Sequence, residues 1–312
     1  MDLDDRLDTK PEDYFLPHST WRKHQLETVI KLESKLDGNI TILQAPTGSG
    51  KTSYAKAMGT NNTVTSLVRT KNLQVENYSK TYGFDVLFGR ANYPCVHPDR
   101  MTPEDTAADC MYELQMEQCE YADLCPYLIQ KRIVQESNCR SMNYAYFLTS
   151  RWPKKIPTVY GFYDECHILP DETLEFVGCT IRDGERMRWR LAEFPSCYDS
   201  TRESAAKCMA WLEKAVGKIS LEIAGMKTDD VMDKAKKSRG ERLRAKLAQT
   251  YGAMQRNSDD WYIRSGQRAL DYMGDKIAGL QIKPLTARHH FPKLFLGVFP
   301  RTVLMSATVG NV

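Results

Sequence analysis

The segment Ala45-Pro46-Thr47-Gly48-Ser49-Gly50-Lys51-Thr52 constrains the fold of this chain more than any other stretch. It follows Ile40-Thr41-Ile42-Leu43, a short β-branched run suited to a buried strand, and it opens a helix-prone stretch from Thr52 to Met58. A glycine-rich turn in that position lets backbone N–H groups curl around a phosphate, and the helix N-terminus adds a favourable dipole. Thr47, Gly48, Ser49 and Gly50 then form the cradle, Lys51 reaches the β- and γ-phosphates, and Thr52 ligates Mg²⁺. The bland alternative is a glycine-rich αβ turn with a surface lysine. The Gly-x-Gly-Lys-Thr order between a strand and a helix is the more specific reading.

The neighbouring sequence agrees with a phosphate loop on a parallel sheet. Trp21 to Leu36 spaces apolar positions like a helix. Thr63 to Val68 reads as a second strand, Lys71–Tyr82 as a helix, and Val159 to Tyr163 as a further strand. Alternating strands and helices predict an α/β fold with covering helices. Near the end, Phe295–Val298 and Thr302–Met305 both read as strands. Residues 89–140 break the pattern with prolines and cysteines. Residues 180–285, rich in Arg, Lys, Glu, Ala, Leu and Met, read as several helices.

Composition matters mainly through its distribution. At 42% apolar and 27% charged residues the chain matches soluble globular proteins, which excludes a disordered, collagen-like or membrane-spanning chain. The formal net charge of +3 hides a basic segment, because residues 180–285 carry 21 Lys and Arg against 15 Asp and Glu. The acidic N-terminus lacks a secretory signal, and no apolar run approaches the roughly 18–20 residues needed to span a bilayer. A cytoplasmic or nuclear location is expected, where thiols stay reduced.

Two further motifs follow the phosphate loop in order, and a third precedes it. Asp164-Glu165-Cys166-His167 ends the third strand: Asp164 is placed to hold Mg²⁺ through water, Glu165 to polarise an attacking water, and His167 to pass on the nucleotide state. A helix N-cap is the structural alternative for two acids after a strand. Ser306-Ala307-Thr308 ends the last strand, a weak signal alone; in order after the other two motifs it is similar to a helicase motif whose hydroxyls link hydrolysis to domain movement. Upstream, Arg22-Lys23-His24-Gln25 offers Gln25 as a bidentate reader of an adenine edge, beside Arg22; a solvated helix face is the alternative.

Nine cysteines are unusual for this length, and an odd count argues against a full disulfide framework. Cys95, Cys110, Cys119, Cys125 and Cys139 lie in one window. The first four are separated by 14, 8 and 5 residues, without the tight C-x₂₋₄-C pairs that zinc prefers. Thiolates suit zinc and iron–sulfur clusters alike, and unligated core cysteines are the third possibility. Cys139 is a fifth candidate.

Together these motifs resemble superfamily two helicases, and the cysteines narrow the resemblance to the XPD/DinG branch. Val68-Arg69-Thr70-Lys71-Asn72-Leu73-Gln74 is similar to its motif Ia, which implies DNA contacts at Arg69 and Thr70. Gly89-Arg90-Ala91-Asn92-Tyr93-Pro94-Cys95 is similar to the entry to its iron–sulfur domain, and Cys125-Pro126-Tyr127 to the last cluster ligand. Asn143-Tyr144-Ala145-Tyr146-Phe147-Leu148 resembles the return to the motor. The likeness is thin over 180–285.

The resemblance implies a RecA-like P-loop sheet interrupted by a cysteine-rich iron–sulfur insert and a helical arch insert. Its expected segments are motor residues 1–88, 143–179 and 286–312, cluster residues 89–142 and arch residues 180–285. It implies a 4Fe–4S cluster on Cys95, Cys110, Cys119 and Cys125, ATP with Mg²⁺, and 5′→3′ translocation on single-stranded or forked DNA. The basic arch, with Trp189, Trp211, Tyr251, Trp261 and Tyr262, would track phosphates and stack bases; the alternative, favoured for any single aromatic, is an ordinary basic helical bundle whose aromatics are core.

A helicase of this branch also needs a second RecA-like domain, of about 150–200 residues on the usual domain size, bearing arginine fingers. The expectation is that this chain is the N-terminal half of such a motor, completed by a missing C-terminal region or a separate chain. Two other classes stay open: an iron–sulfur module that binds single strands without motor activity, and an unrelated P-loop kinase or small-molecule ATPase.

Overall fold

A computed structural model describes residues 8–34, 40–98, 105–110, 118–150, 152–197, 199–226, 231–270 and 276–308. The chain forms two compact units, Met1–Leu169 with Pro292–Val312, and Pro170–Phe291.

The first unit is built on six parallel strands: β1 (Ile40–Gln44), β2 (Val64–Val68), β3 (Asp85–Leu87), β4 (Cys139–Asn143), β5 (Tyr160–Tyr163) and β9 (Arg301–Ser306), while β6 (Cys179–Arg182), β7 (Trp261–Leu270) and β8 (Lys276–Pro284) belong to the second unit. Their order is β1-β9-β5-β2-β4-β3. β2 and β5 are buried at every position, as central parallel strands covered on both faces must be. β1 is an edge strand, with Ile40 and Ile42 exposed.

Helices α1 (Gln25–Ser34) and α2 (Lys51–Met58) supply Val29, Leu32, Tyr54, Ala55 and Met58 to a core that includes Val64, Val68, Phe162, Val303 and Met305. Phe147, Tyr163, Phe295 and Phe299 form an aromatic cluster, with ring centroids 5.7–6.5 Å apart. Gly161 permits this packing, because a Cβ there would collide with the Phe299 ring. α3 (Pro126–Glu136) follows the cysteine window, and α4 (Tyr144–Thr149) is capped by Asn143, whose Oδ1 accepts from the Tyr146 N–H at 2.8 Å.

Two local expectations change. The helix expected over 71–82 is π-helical from Leu73 to Ser79 and closes in one α-turn, Lys80–Tyr82. The strand expected at 295–298 is absent: Phe291–Phe295 is a short helix with Pro292 in its first turn, and Gly297 turns the chain at φ 74°.

The second unit contains helices α5 (Leu169–Val177, whose first residue closes the first unit), α6 (Asp183–Arg188), α7 (Arg202–Ala224) and α8 (Val231–Arg256). It is not purely helical, which corrects the reading of 180–285. β6 (Cys179–Arg182), β7 (Trp261–Leu270) and β8 (Lys276–Pro284) form an antiparallel sheet in the order β6-β8-β7. The alternation that builds it is legible at Trp261 and Ile263 on β7 and Leu280 and Ile282 on β8, all buried. Averaged over the long basic helices, that short alternation disappears.

Trp189, Trp211 and Trp261 are core residues of this unit and offer no surface for base stacking; Tyr262 is exposed. Gly240 on α8 makes room for Trp189, since a Cβ would strike its ring. α5 is tied to α8 by the Thr250 hydroxyl, which donates to the Val177 carbonyl at 3.0 Å, and by Lys246 Nζ on the Phe176 carbonyl at 2.5 Å.

Candidate functional site

The parallel sheet brings the motifs to one rim. β1 ends in the phosphate loop, β9 in Ser306, β5 in Asp164 and β2 in Arg69, and these four strands are successive neighbours. Their ends are level: Gln44 is in register with Ser306, Leu304 with Tyr163, and Tyr163 with Leu67. The carboxyl ends of parallel strands are where α/β sheets bind ligands.

Gly48 and Gly50 adopt φ of 83° and 89°, a conformation that side chains resist, and this bends the loop back before α2. Ala45 N–H donates to the Ser306 carbonyl at 2.9 Å, fixing the loop's start to the neighbouring strand. The loop is buttressed from beneath by Gln25, which is buried. Its Oε1 accepts from the Arg22 N–H at 3.1 Å, while the Arg22 guanidinium donates to the Gly48 carbonyl. Gln25 Nε2 and Ser49 Oγ are both buried without a partner among the described residues. Thr47 is exposed. Orphaned polar groups at a glycine turn suit a ligand that brings its own acceptors.

Lys51 Nζ lies 3.4 Å from the Ala45 carbonyl and 3.7 Å from Glu165 Oε1. Glu165 is left-handed at φ 52° and ψ 48°, a costly conformation for this residue. Its carboxylate also faces His167, Nδ1 to Oε2 at 3.3 Å, and His167 Nδ1 lies 2.9 Å from Ser306 Oγ. Ser306 Oγ in turn donates to the Thr308 carbonyl at 3.0 Å and accepts from the Thr308 N–H at 3.2 Å. Lys51, Glu165, His167, Ser306 and Thr308 thus form one continuous polar chain; Ala307 lies between its last two members.

Asp164 sits beneath that chain. Its backbone N–H donates to the Leu67 carbonyl at 2.9 Å, and its own carbonyl accepts from the Tyr144 hydroxyl at 2.6 Å. Its side chain accepts from the Glu165 N–H at 3.0 Å and from the Tyr78 hydroxyl at 3.1 Å. Burial lifts the Asp164 carboxyl above its ordinary range, with the Tyr78 hydrogen bond and Lys51 opposing and Glu165 reinforcing the shift. Thr52, also buried, accepts at Oγ1 from Asn77 Nδ2 at 2.9 Å. Asn77 and Tyr78 went unread in the sequence, and Tyr144 was read only as part of the segment 143–148. The signal for the first two is a π-helix beside a strand end, which no propensity scale marks.

The Thr52 hydroxyl and the Asp164 and Glu165 carboxylates are hard oxygen donors of the kind Mg²⁺ takes. Arg69 and Thr70 are exposed at the end of β2. Cys166, half-buried beside Glu165 and Asp164, has its thiol pushed up to about 11, by burial first. It is no candidate nucleophile.

The cysteine window lies in the first unit. Cys95, Cys110, Cys119 and Cys125 are half-buried and free of disulfides. The Cys95 N–H donates to the Asp105 carbonyl at 2.9 Å, and Pro94 bridges Thr106. The Ala122 N–H donates to the Cys119 carbonyl at 2.9 Å, and Cys125 caps α3. Tyr93 packs on Tyr127 and His97 on Tyr121, at 5.5 and 5.1 Å between ring centroids, so the two halves of the window adjoin. No group of three or more potential metal-ligating side chains is gathered among the described residues. Thiolates of this kind are ligands that iron–sulfur clusters and zinc both take. Cys139 stands apart from these four: it is buried in β4 with its sulfur against Gly59 on the α2 side of the sheet.

No protein-family profile and no curated protein matches this sequence. Solved structures do match. An XPD helicase structure aligns over 92% of this chain and 58% of its own, with a TM-score of 0.51 and 15% identity. The fold is that of an XPD helicase. An apo XPD structure aligns over 86% of this chain and 50% of its own, with a TM-score of 0.40 and 15% identity. This chain spans little more than half the length of the first of these. No described helix is long and apolar enough to cross a membrane.

Proposed function

We propose that this chain is the nucleotide-binding, N-terminal part of an ATP-dependent 5′→3′ DNA helicase of the XPD/DinG type. The observation that carries this reading is the continuous polar chain Lys51–Glu165–His167–Ser306, which joins the phosphate loop to the strand end that follows it in space.

ATP would settle on the loop of Thr47 to Thr52, with the orphaned Ser49 hydroxyl and Gln25 amide left to meet its polar edges. Thr52 and Asp164 would hold Mg²⁺, which when bound supplies charge neutralisation for the β- and γ-phosphates. A γ-phosphate at Lys51 would compete with Glu165 for the ammonium. Released from Lys51, the Glu165 carboxylate is free to orient water. The loss of that pairing reaches His167 and, through it, Ser306 and Thr308. Single-stranded or forked DNA would contact Arg69 and Thr70, and the basic charge of residues 180–285 would attract its phosphates. Cys95, Cys110, Cys119 and Cys125 would hold a 4Fe–4S cluster, which would brace its subdomain. A second RecA-like domain, from another part of the protein or a separate chain, would complete the motor.

The test is binding of fluorescent Mg-ATP and of single-stranded DNA to the protein and to Lys51→Ala. The expected result is a loss of nucleotide affinity of about 100-fold, roughly 2.7 kcal/mol, and loss of nucleotide control over DNA affinity. DNA binding that ignores nucleotide in both proteins would instead favour a single-strand-binding module without motor activity.

A further inference from the structure

Resting on the nucleotide reading above, we propose that Asn77 and Tyr78 are positioning residues for the divalent cation of a metal–nucleotide complex. They are consecutive residues of the π-helical segment Leu73–Ser79. On an α-helix neighbouring side chains diverge. Here both reach the same site: Asn77 Nδ2 donates to Thr52 Oγ1 at 2.9 Å, and the Tyr78 hydroxyl donates to Asp164 Oδ2 at 3.1 Å. Thr52 and Asp164 are the two side chains from which a cation would be held. One short segment therefore sets both.

The donors and acceptors fit that task. A hydroxyl oxygen has two lone pairs, and the Asn77 amide takes one, leaving the other for a cation. Asp164 Oδ1 is fixed by the Glu165 N–H at 3.0 Å and Oδ2 by Tyr78, so the plane of the carboxylate is set before any ligand arrives. Tyr78 is fully buried, packed edge-on to Phe84 with ring centroids 5.1 Å apart, which fixes the phenol. The segment is itself anchored. Gln74, also fully buried, donates from Nε2 to the Ser141 carbonyl at 3.1 Å, and its N–H donates to the Thr70 carbonyl at 3.3 Å. A π-helical turn is a strained insertion that recurs at functional sites. Here its register delivers the pair.

The experiment measures how much Mg²⁺ is needed for half-maximal binding of a fluorescent ATP analogue, and the analogue's affinity in chelator. The proteins are wild type, Tyr78→Phe, Asn77→Ala and Lys51→Ala. Tyr78→Phe keeps the buried ring, and Asn77 is only half-buried, so one variant serves if the other fails to fold. Each is expected to raise the Mg²⁺ requirement by about 10- to 100-fold, the range for residues that support metal ligands, with affinity in chelator unchanged. Asn77→Gln, which keeps the amide, is expected to recover part of the loss. An unchanged Mg²⁺ requirement, in a protein whose binding still depends on Lys51, overturns the role of the pair alone. Binding indifferent to Lys51 overturns the nucleotide reading, and the role of the pair with it.

Discussion

His167 Nδ1 lies 2.9 Å from Ser306 Oγ, although 139 positions separate the two residues in sequence. The contact exists because β5 and β9 are neighbours in the sheet, with Tyr163 in register with Leu304. It makes the end of the last strand sensitive to what His167 does. His167→Ala and Ser306→Ala should each weaken the effect of nucleotide on single-strand affinity by at least about 5-fold, the lower end of typical coupling energies. The double variant should be no worse than the weaker single, because the two side chains act as one link. Titrations of single-stranded DNA with and without Mg-ATP provide the check. Additive losses would mean that each residue acts through a different partner.

Asp164 is held at a cost. Burial raises its pKa, so the folded protein binds its proton more tightly than the unfolded chain does. The cost is absent below the unfolded value and grows as pH rises from there through the raised folded value. Asp164→Asn removes the charge and keeps an acceptor for Tyr78. It should stabilise the ligand-free protein at neutral pH by about 0.5–2 kcal/mol, the usual gain when a functional strain is relieved, and the gain should vanish in acid. Mg-dependent nucleotide binding should be lost at the same time. Thermal melts across pH test the first part; a lower Tm at neutral pH would contradict it.

The two positive-φ glycines of the phosphate loop should not be equivalent. A Cβ on Gly48 would meet nothing within 4 Å, whereas one on Gly50 would stand 2.5 Å from Gln25 Nε2. Gly48→Ala therefore carries only the left-handed penalty, about 1–2 kcal/mol. Gly50→Ala should cost about 1–3 kcal/mol more, because the buried Gln25 amide has little room to retreat. Gln25→Ala in the Gly50→Ala background should recover that difference in a denaturant titration. A Gly50→Ala protein no less stable than Gly48→Ala would show that Gln25 moves freely.

What was legible in the sequence was what is local. The phosphate loop, Asp164-Glu165 and Ser306-Ala307-Thr308 each announce themselves within a few residues, and each ends a strand as expected. β4 did not: Cys139, Arg140 and Ser141 have no strand pattern, and they are buried because β2 and β3 pair on either side. The grip of Asn77 on Thr52 and of Tyr78 on Asp164 depends on a π-helical register that helix periodicity misplaces. The strands β7 and β8 were masked by the charged helices before them. Trp189, Trp211 and Trp261 are the core of their unit, as the reading of an ordinary helical bundle has them, and not stacking surfaces.

Cys139 separates the two readings of the cysteine window. It is buried in β4, and burial pushes its thiol up, which disfavours the thiolate that a metal needs. Cys95, Cys110, Cys119 and Cys125 are only half-buried. If those four hold a 4Fe–4S cluster, serine at any one of them should strip iron, acid-labile sulfide and the brown colour from anaerobically purified protein. Cys139→Ala should keep all three and lose only packing, about 1 kcal/mol in a melt. A colourless wild-type protein carrying stoichiometric zinc would replace the cluster with a structural zinc site, and iron lost from Cys139→Ala with its melt unchanged would return that residue to the ligand set.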